Sequence, residues 1–598
     1  MIVFLGGLAC LTFTMLVGWS WPTDRATNVV HAVLDGIGKS LWIGWALVVA
    51  AYFLGATGGA IVWAALAIAA VVAIRANTHR SLQADRADLA ALATVAALVA
   101  TFAFACLSFG LAGYTRIFHH WDALVSWNRW AIELHQNDYR PYGAAYPLLF
   151  PGLWSLVYRL QDSADVWFVA KLSVFVFPGL LLLATSMLWS FGRPWAAALC
   201  AVITASLAWR QIGSSTVSML SGYMDSPVAV LMLVAAVLSV LVIDAVDAGD
   251  QARASSLLET MAVFSGLAAI TKQAGVMSLA AFTILLVLLL VHRKIEAPRA
   301  VFLVVVASLP LIAFSAVFAS VGGKPVSTLA TMRDLAERGA GGAGTIPHAF
   351  DLLFRSGRGL FVLLAILAPL NFMWSRTLRG QFGLVLLAVA VAGFFIFAEC
   401  CSYEPRNGWW ILSLLAASAL LAFTSFAPPR RTHDRGMAMP ALPALTAMVM
   451  TAVAASALAG AVIGDQSAMA LQRREQWALA PTEVVKLVRP IIGELGPNDI
   501  IVSRVQAVRW LPGMEDRFAS CKRQALSCIA NRLAPRGQAF ILTTSQPATD
   551  YPELEPLLTT PALVGTSKGF SLFGPYPRSK FDLRGGRLSA QRTANPSP

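Results

Sequence analysis

Charge is what this chain has least of. Asp, Glu, Lys and Arg make up 13% of its 598 residues, against about 25% in soluble domains. That dilution, with 57% hydrophobic residues and a mean hydropathy of +0.66, excludes an ordinary soluble protein. Cysteine is also scarce, at seven residues, which excludes a disulfide-dense scaffold. Cys10, Cys106 and Cys200 fall inside apolar runs, and Cys400 and Cys401 are adjacent at an expected helix end. Only Cys521 and Cys528 lie in polar sequence. On one continuous helix they would be separated by roughly 10.5 Å, too far for a bridge, so a disulfide there requires a loop. No Cys/His spacing points to zinc, and no Gly-rich phosphate loop is present, which argues against a nucleotide site.

What is abundant is long apolar sequence. About fourteen runs approach the roughly 20 residues a spanning helix needs, at 2–19, 41–55, 59–75, 89–112, 164–190, 195–209, 226–245, 257–271, 274–292, 299–320, 358–375, 381–399, 408–426 and 441–464. The run 2–19 lacks a basic leader and a small-residue cleavage site, so it reads as a retained helix. The stretch 41–75 is split only by GATGG at 55–59 and is either a tight hairpin or one long helix.

The formal net charge of +13 does not indicate nucleic acid, because the basic residues are scattered through short loops between apolar runs. Anionic lipid and phosphate-bearing substrates suit them better. Those loops set orientation. Arg75, Arg80 and Arg86; Arg293, Lys294 and Arg299; Arg376 and Arg379; and Arg430, Arg431 and Arg435 mark cytoplasmic turns. The segments 114–163, 210–225, 321–357 and 401–407, and everything after the last span, then face outward, which in a bacterium is the periplasm.

The expected fold class is an all-α polytopic membrane protein with a small C-terminal extracytoplasmic α/β domain. Residues 1–88 form extra N-terminal spans. Residues 89–464 form the transmembrane module with its outer loop 113–163, and 465–598 form the soluble domain and a disordered tail. In that domain an amphipathic helix over Pro481–Leu495 and strands at Asp499–Val505, Ala539–Thr544 and Ala562–Phe573 are expected.

Four polar clusters fall at outward helix ends: HHWD at 119–122 followed by Arg129 and Glu133; SGYMD at 221–225; TKQAG at 271–275; and SYEPRN at 402–407. In the first, Ala123, Trp127, Trp130 and Leu134 make an apolar stripe, with Asp122, Ser126, Arg129 and Glu133 opposite. This predicts an interfacial helix whose charged side turns outward or to a cavity, with Pro141, Pro147 and Pro151 breaking the chain after it.

These clusters carry a resemblance to the GT-C superfamily of integral membrane glycosyltransferases, in the branch of protein O-mannosyltransferases and aminoarabinose transferases. WDALVSWNRWAIELHQNDYRP looks like that family's first outer loop, with Asp122 at its catalytic acidic position. GYMDSP resembles its second acidic loop, with Asp225, and TKQAG a Lys-containing break between helices, with Lys272. The resemblance spans roughly 89–580. Two departures are a lone Asp122 where many members have paired acids, and about three extra spans before it.

The resemblance implies an inverting transferase that moves a sugar from a polyprenyl monophosphate carrier to a glycan, lipid or protein acceptor at the outer face of the membrane. Asp122 would be the base, taking the acceptor's proton. Lys272 and Arg406, with Arg210 in reserve, would meet the phosphate charge. Asp225 is a second catalytic acid, and Arg129, Glu133, Glu404 and Tyr223 complete the substrate-binding set. No cofactor is assigned, and a divalent cation is left open.

Each role has a plainer rival. Asp122 would pair with Arg129, and Arg129 with Glu133. Asp225 would cap the helix entered at Pro227, Lys272 would snorkel, and Arg406 would pair with Glu404. The whole chain also has rivals: a transporter or lipid-linked glycan flippase, or an assembly factor acting through its soluble domain.

Overall fold

The computed structural model describes residues 29–55, 95, 123–137, 139, 146–161, 167–213, 224–321, 346–357, 360–398 and 405–426 and, with interruptions, 484–581. The chain divides into two compact units. One comprises Met1–Ala112 and Trp130–Gly464, the other Gly113–Arg129 and Asp465–Pro598.

The first unit is helical. In chain order its described α-helices are α1 (Val29–Phe53), α2 (Arg129–Gln136, its first residue counted with the other unit), α3 (Leu149–Gln161), α4 (Trp167–Ser190) and α5 (Pro194–Gly213). There follow α6 (Asp225–Asp247), α7 (Gln251–Ala269), α8 (Val276–Val291), α9 (Ala297–Ser320), α10 (Ile346–Gly357), α11 (Leu360–Leu367), α12 (Leu378–Ile396) and α13 (Trp409–Phe426). Among the described residues, six helices are long and apolar enough to cross a membrane: Val29–Phe53, Asp225–Asp247, Gln273–Val291, Ala297–Ser320, Leu378–Ile396 and Trp409–Phe426. The expected spans 2–19, 59–75 and 441–464 lie outside the described residues, as does all of 89–112 except Val95.

Helix α6 is apolar around its circumference and is buried along nearly its whole length. A helix with no polar face belongs at the centre of a bundle. Helices α7 and α13 flank it. Ser413 Oγ donates to the Ala229 carbonyl at 3.0 Å and ties α13 to α6. Helices α7 and α9 approach so closely that a Cβ at Gly266 would lie 2.4 Å from the Ala307 carbonyl oxygen. Small residues at such crossings allow backbones to pack without a hydrophobic driving force.

Two expectations change here. The span expected at 41–55 begins twelve residues earlier, and α1 carries His31, Asp35 and Lys39 into the bundle, all buried. Asp35 pairs with Lys39 at 2.7 Å, one turn along α1. Thr260 Oγ1 donates to Asp35 at 2.8 Å, and His31 Nε2 lies 2.9 Å from the same hydroxyl. Polar groups this deep persist because they satisfy one another. Further along, a Cβ at Gly38 would meet Phe264 and Val263, so α1 and α7 run side by side in the same direction. The expected span 358–375 is also divided, into α11 and a 3-10 stretch over Ala368–Trp374.

In the outer-loop region, a π-helical turn over Ala123–Asn128 leads into α2, which Asn137 ends with φ 59°. Asn tolerates that left-handed geometry at a helix C-terminus. Trp127, Trp130 and Leu134 are buried as expected, and so are Arg129 and Glu133, which turns that part of the charged side inward rather than to bulk water. A π turn adds a residue per turn and shifts the phase that a strict 3.6 period assumes. Pro151 does not break the chain. It sits in the first turn of α3, where no backbone donor is needed.

The second unit contains a five-stranded sheet. Its strands are β1 (Ile500–Ser503), β2 (Phe518–Ala519), β3 (Gln538–Thr544), β4 (Leu563–Ser567) and β5 (Phe570–Pro577), in the order β2-β1-β3-β5-β4. β1 is parallel to both neighbours, and β5 is antiparallel to β3 and β4. The single strand expected over 562–573 is therefore a hairpin, turning between Ser567 and Phe570. Helix α14 (Ala525–Arg532) lies in the crossover from β2 to β3 and buries Ile529 on one face with Ile500, Val502 and Ile541. Val484, Val488, Ile491 and Leu495 cover the other face with Ile501 and Leu542. That is the stripe the amphipathic segment predicts, and alternation along β1 divides the two cores. Cys521 precedes α14 and Cys528 lies within it, so a chain turn brings their Cα atoms to 5.8 Å and they form a disulfide.

Candidate active site

Three of the four polar clusters meet at one end of the first unit's bundle, through their described residues. Asp225 is the first residue of α6, where the helix dipole favours a carboxylate. The residue before it, Met224, makes no side-chain cap, and the Asp225 carboxylate turns to Lys272. Lys272 stands in the break between α7 and α8, with extended backbone at φ −154° and ψ 155°. The break is tight, because a Cβ at Gly275 would lie 1.8 Å from the Ala268 carbonyl oxygen. Behind it, Thr271 is buried and donates to the Leu267 carbonyl at 2.7 Å, and Leu149 N at the start of α3 donates to the Ile270 carbonyl at 2.8 Å. The outer-loop chain therefore re-enters the bundle beside Lys272.

The Lys272 ammonium donates to Asp225 Oδ1 and, at 3.3 Å, to Asn407 Oδ1. Asn407 belongs to the 3-10 turn Pro405–Gly408 that opens α13. The Asp225 side chain is 5% exposed and that of Lys272 18%. An ammonium has three donors. Two are engaged by these partners, and the side chain still reaches the surface. A carboxylate and a cation held this way can orient an anionic ligand and meet charge that develops on it.

Of the residues expected in the site, Asp225 and Lys272 are in direct contact. Asp122, Tyr223 and Glu404 lie outside the described residues, and the side chains of Arg210 and Arg406 are likewise not described. Arg129 and Glu133 are buried on successive turns around α2. Sequence reasoning did not single out Asn407, although it is the neighbour of Arg406 in the same SYEPRN cluster. It also passed over Arg159. That guanidinium donates to the Leu134 carbonyl and, at 2.7 Å, to Asn137 Oδ1, and so closes the C-terminus of α2. Burial lowers its pKa to about 10. Among the described residues, no three His, Cys, Asp or Glu side chains gather as a metal centre would need.

The opposite end of the same helices holds a second ionic cluster. Arg193, between α4 and α5, embraces Asp244 near the end of α6 through Nε at 2.8 Å and Nη2 at 2.6 Å. Arg379 of α12 reaches the same carboxylate, and Asp247 at 3.2 Å. Both guanidiniums also bond to Thr424 at the end of α13, Arg193 to its carbonyl at 3.0 Å and Arg379 to its hydroxyl at 2.9 Å.

No family model matches the chain, and no curated protein matches it. Among solved structures, the crystal structure of ArnT from Cupriavidus metallidurans bound to undecaprenyl phosphate is similar to 81% of this chain and 99% of its own, at 14% identity and a TM-score of 0.47.

Proposed function

We propose that this protein is an inverting glycosyltransferase. It takes a sugar from a polyprenyl monophosphate carrier and gives it to an acceptor on the outer face of a bacterial cytoplasmic membrane. The observation that supports this reading is the Asp225–Lys272–Asn407 cluster, gathered from three distant segments at one end of an apolar bundle. Such a donor is an anion with a long apolar tail. It needs a cation at the membrane boundary and apolar helices below, and no nucleotide site.

In this reading Lys272 holds the carrier phosphate, and its charge stabilises the phosphate as the anomeric C–O bond breaks. Asp225 and Asn407 keep the ammonium in place. Asp122 takes the proton of the acceptor hydroxyl as that oxygen attacks the anomeric carbon from the opposite face. Arg406 and Arg210 are the further phosphate contacts, and Tyr223, Glu404, Arg129 and Glu133 line the sugar and acceptor side. The second unit's sheet lies outside the membrane, on the periplasmic side. The Cys521–Cys528 disulfide supports that placement, because such bonds persist in oxidising compartments.

The test uses the purified full-length protein in liposomes with a polyprenyl-phosphate sugar and acceptor extracts, with mass spectrometry of the products. Sugar transfer by the native chain, lost in Asp122→Asn and Lys272→Gln with folding retained, is the expected result. Full activity of Asp122→Asn removes the base assignment. Movement of lipid or solute without a covalent product replaces the reading with transport.

A further inference from the structure

Arg159, in the last turns of α3, is 2% exposed. The buried guanidiniums of Arg193 and Arg379 share the Asp244 carboxylate. Arg159 differs: among the described residues it bonds only to neutral oxygens. Its Nη2 donates to the Leu134 carbonyl and to Asn137 Oδ1. Its Nη1 is buried and, among those residues, donates to nothing. Burial lowers its pKa with no acid acting the other way. A buried charge without a counter-charge is strongly destabilising, so such a group calls for a partner.

Asn137 repeats the pattern. A guanidinium has donors only, which fixes the amide with its oxygen toward Arg159. That leaves Asn137 Nδ2, which is also buried and without an acceptor among the described residues. Each unspent nitrogen sits on the same planar group as an atom of the 2.7 Å contact between Arg159 and Asn137. What remains is therefore two neighbouring donors and one positive charge. The C-terminal carbonyls of α2 offset only part of that charge, and Leu134 is already engaged. Water could accept from both donors, but it brings two protons of its own and no charge. An oxyanion brings lone pairs and the missing negative charge, the combination a guanidinium binds best.

This place is separate from the Lys272 cluster. Leu149 N, at the head of α3, donates to the Ile270 carbonyl beside Lys272. Arg159 stands ten positions after Leu149, roughly 15 Å along the helix. One phosphate does not reach both.

We propose that Arg159 and Asn137 form a second anion-binding site, which takes a phosphate-type oxyanion on Arg159 Nη1 and Asn137 Nδ2. The group is carried by a phospholipid headgroup or is free phosphate. Bound there, it ties the C-terminus of α2 to α3 and so fixes the end of the outer-loop segment. The proposal does not rest on the transferase reading.

The experiment uses the full-length protein, delipidated in detergent at constant ionic strength set with chloride. It is melted with inorganic phosphate or with short-chain phosphatidylglycerol. A ligand that binds only the folded state raises the melting temperature as its concentration passes the dissociation constant, and a rise of several degrees is expected. A rise with both probes assigns the site to the phosphate group itself; a rise with the lipid alone assigns it to the headgroup. The rise should vanish in Arg159→Met, which keeps the apolar stem, and shrink in Arg159→Lys, which keeps the charge without the fork. Asn137→Gly tolerates the φ of 59° and should also shrink it, which carries the test if Arg159→Met fails to fold. No rise in the native chain overturns the proposal, as does an equal rise in Asn137→Gly or Arg159→Met. The rival is an internal counter-ion from Asp138 or Asp162, which adjoin these residues in sequence and lie outside the described residues. A fall in melting temperature in Asp138→Asn or Asp162→Asn as large as that in Arg159→Met overturns the proposal in favour of that ion pair. No readout involves sugar transfer, so this site and the transferase reading fail separately.

Discussion

Helix α6 has a carboxylate near each end, and the two are held in opposite ways. Asp225, at its start, is favoured by the helix dipole and, among the described residues, pairs with Lys272, whose side chain remains 18% exposed. Asp244, near its finish, stands where the dipole disfavours an anion, and two buried guanidiniums compensate it with a full set of hydrogen bonds. The second arrangement is saturated. It joins the turn before α5 to α6, α12 and α13. The first sits at a helix break, and among the described residues two acceptors meet the three donors of its ammonium. A buried ion pair that is complete is a fastening; one that reaches the surface is a candidate for chemistry.

The contrast can be broken most directly by removing each acid. Asp244→Ala removes the carboxylate that two buried guanidiniums share, leaving Arg379 the more exposed Asp247, and should cost about 3–5 kcal/mol of stability, read as lost folded protein on heating in detergent. Asp225→Ala should cost far less, because Lys272 can turn to solvent, while removing transfer activity. Equal destabilisation by the two would end the distinction.

Lys272→Gln sharpens the same point. It should lower turnover of a polyprenyl-phosphate sugar roughly 10²–10³-fold with a melting temperature close to that of the native chain. A large fall in melting temperature with unchanged turnover per folded molecule would make Lys272 a fastening too. Gly275→Ala should fall between these, since its Cβ would press on the Ala268 carbonyl and displace the break. A loss of about 1–3 kcal/mol is expected, with reduced activity, measured by unfolding and by product formation.

The smallest effect lies away from both ends. Tyr576 donates to the Leu557 carbonyl, and burial raises its pKa from 10.0 to about 12. The folded state therefore holds this proton more tightly than the unfolded state. The hydroxyl's contribution is complete below pH 10.0 and is lost as pH rises toward about 12. Tyrosinate absorbance and stability followed through that interval should change less steeply in Tyr576→Phe.

Much of the bundle was legible from its residues. The run 226–245 became Asp225–Asp247, and 299–320 became Ala297–Ser320, because a helix without a polar face must be buried and its length is fixed by the rise per residue. TKQAG was legible as a break, and the clusters that hold Asp225 and Lys272 as falling at the same end of the helices. What misled was polarity inside apolar sequence. Asp35 and Lys39 pushed the expected start of α1 to residue 41, although their spacing of four was a readable signal of a pair on one helix face. The burial of Arg129 and Glu133 depends on what packs against the charged side of the helix, which spacing along the chain does not show.

Sequence alone determined the class of molecule and the ends of the helices where polar residues fall, because hydropathy and period are local properties. It could not decide which charge meets which. Asp225 and Asp244 look alike in the sequence. Only the tertiary structure, among the described residues, gives one a part-buried ammonium and the other two buried guanidiniums, because those partners come from segments up to 135 residues away and pairing depends on how helices pack.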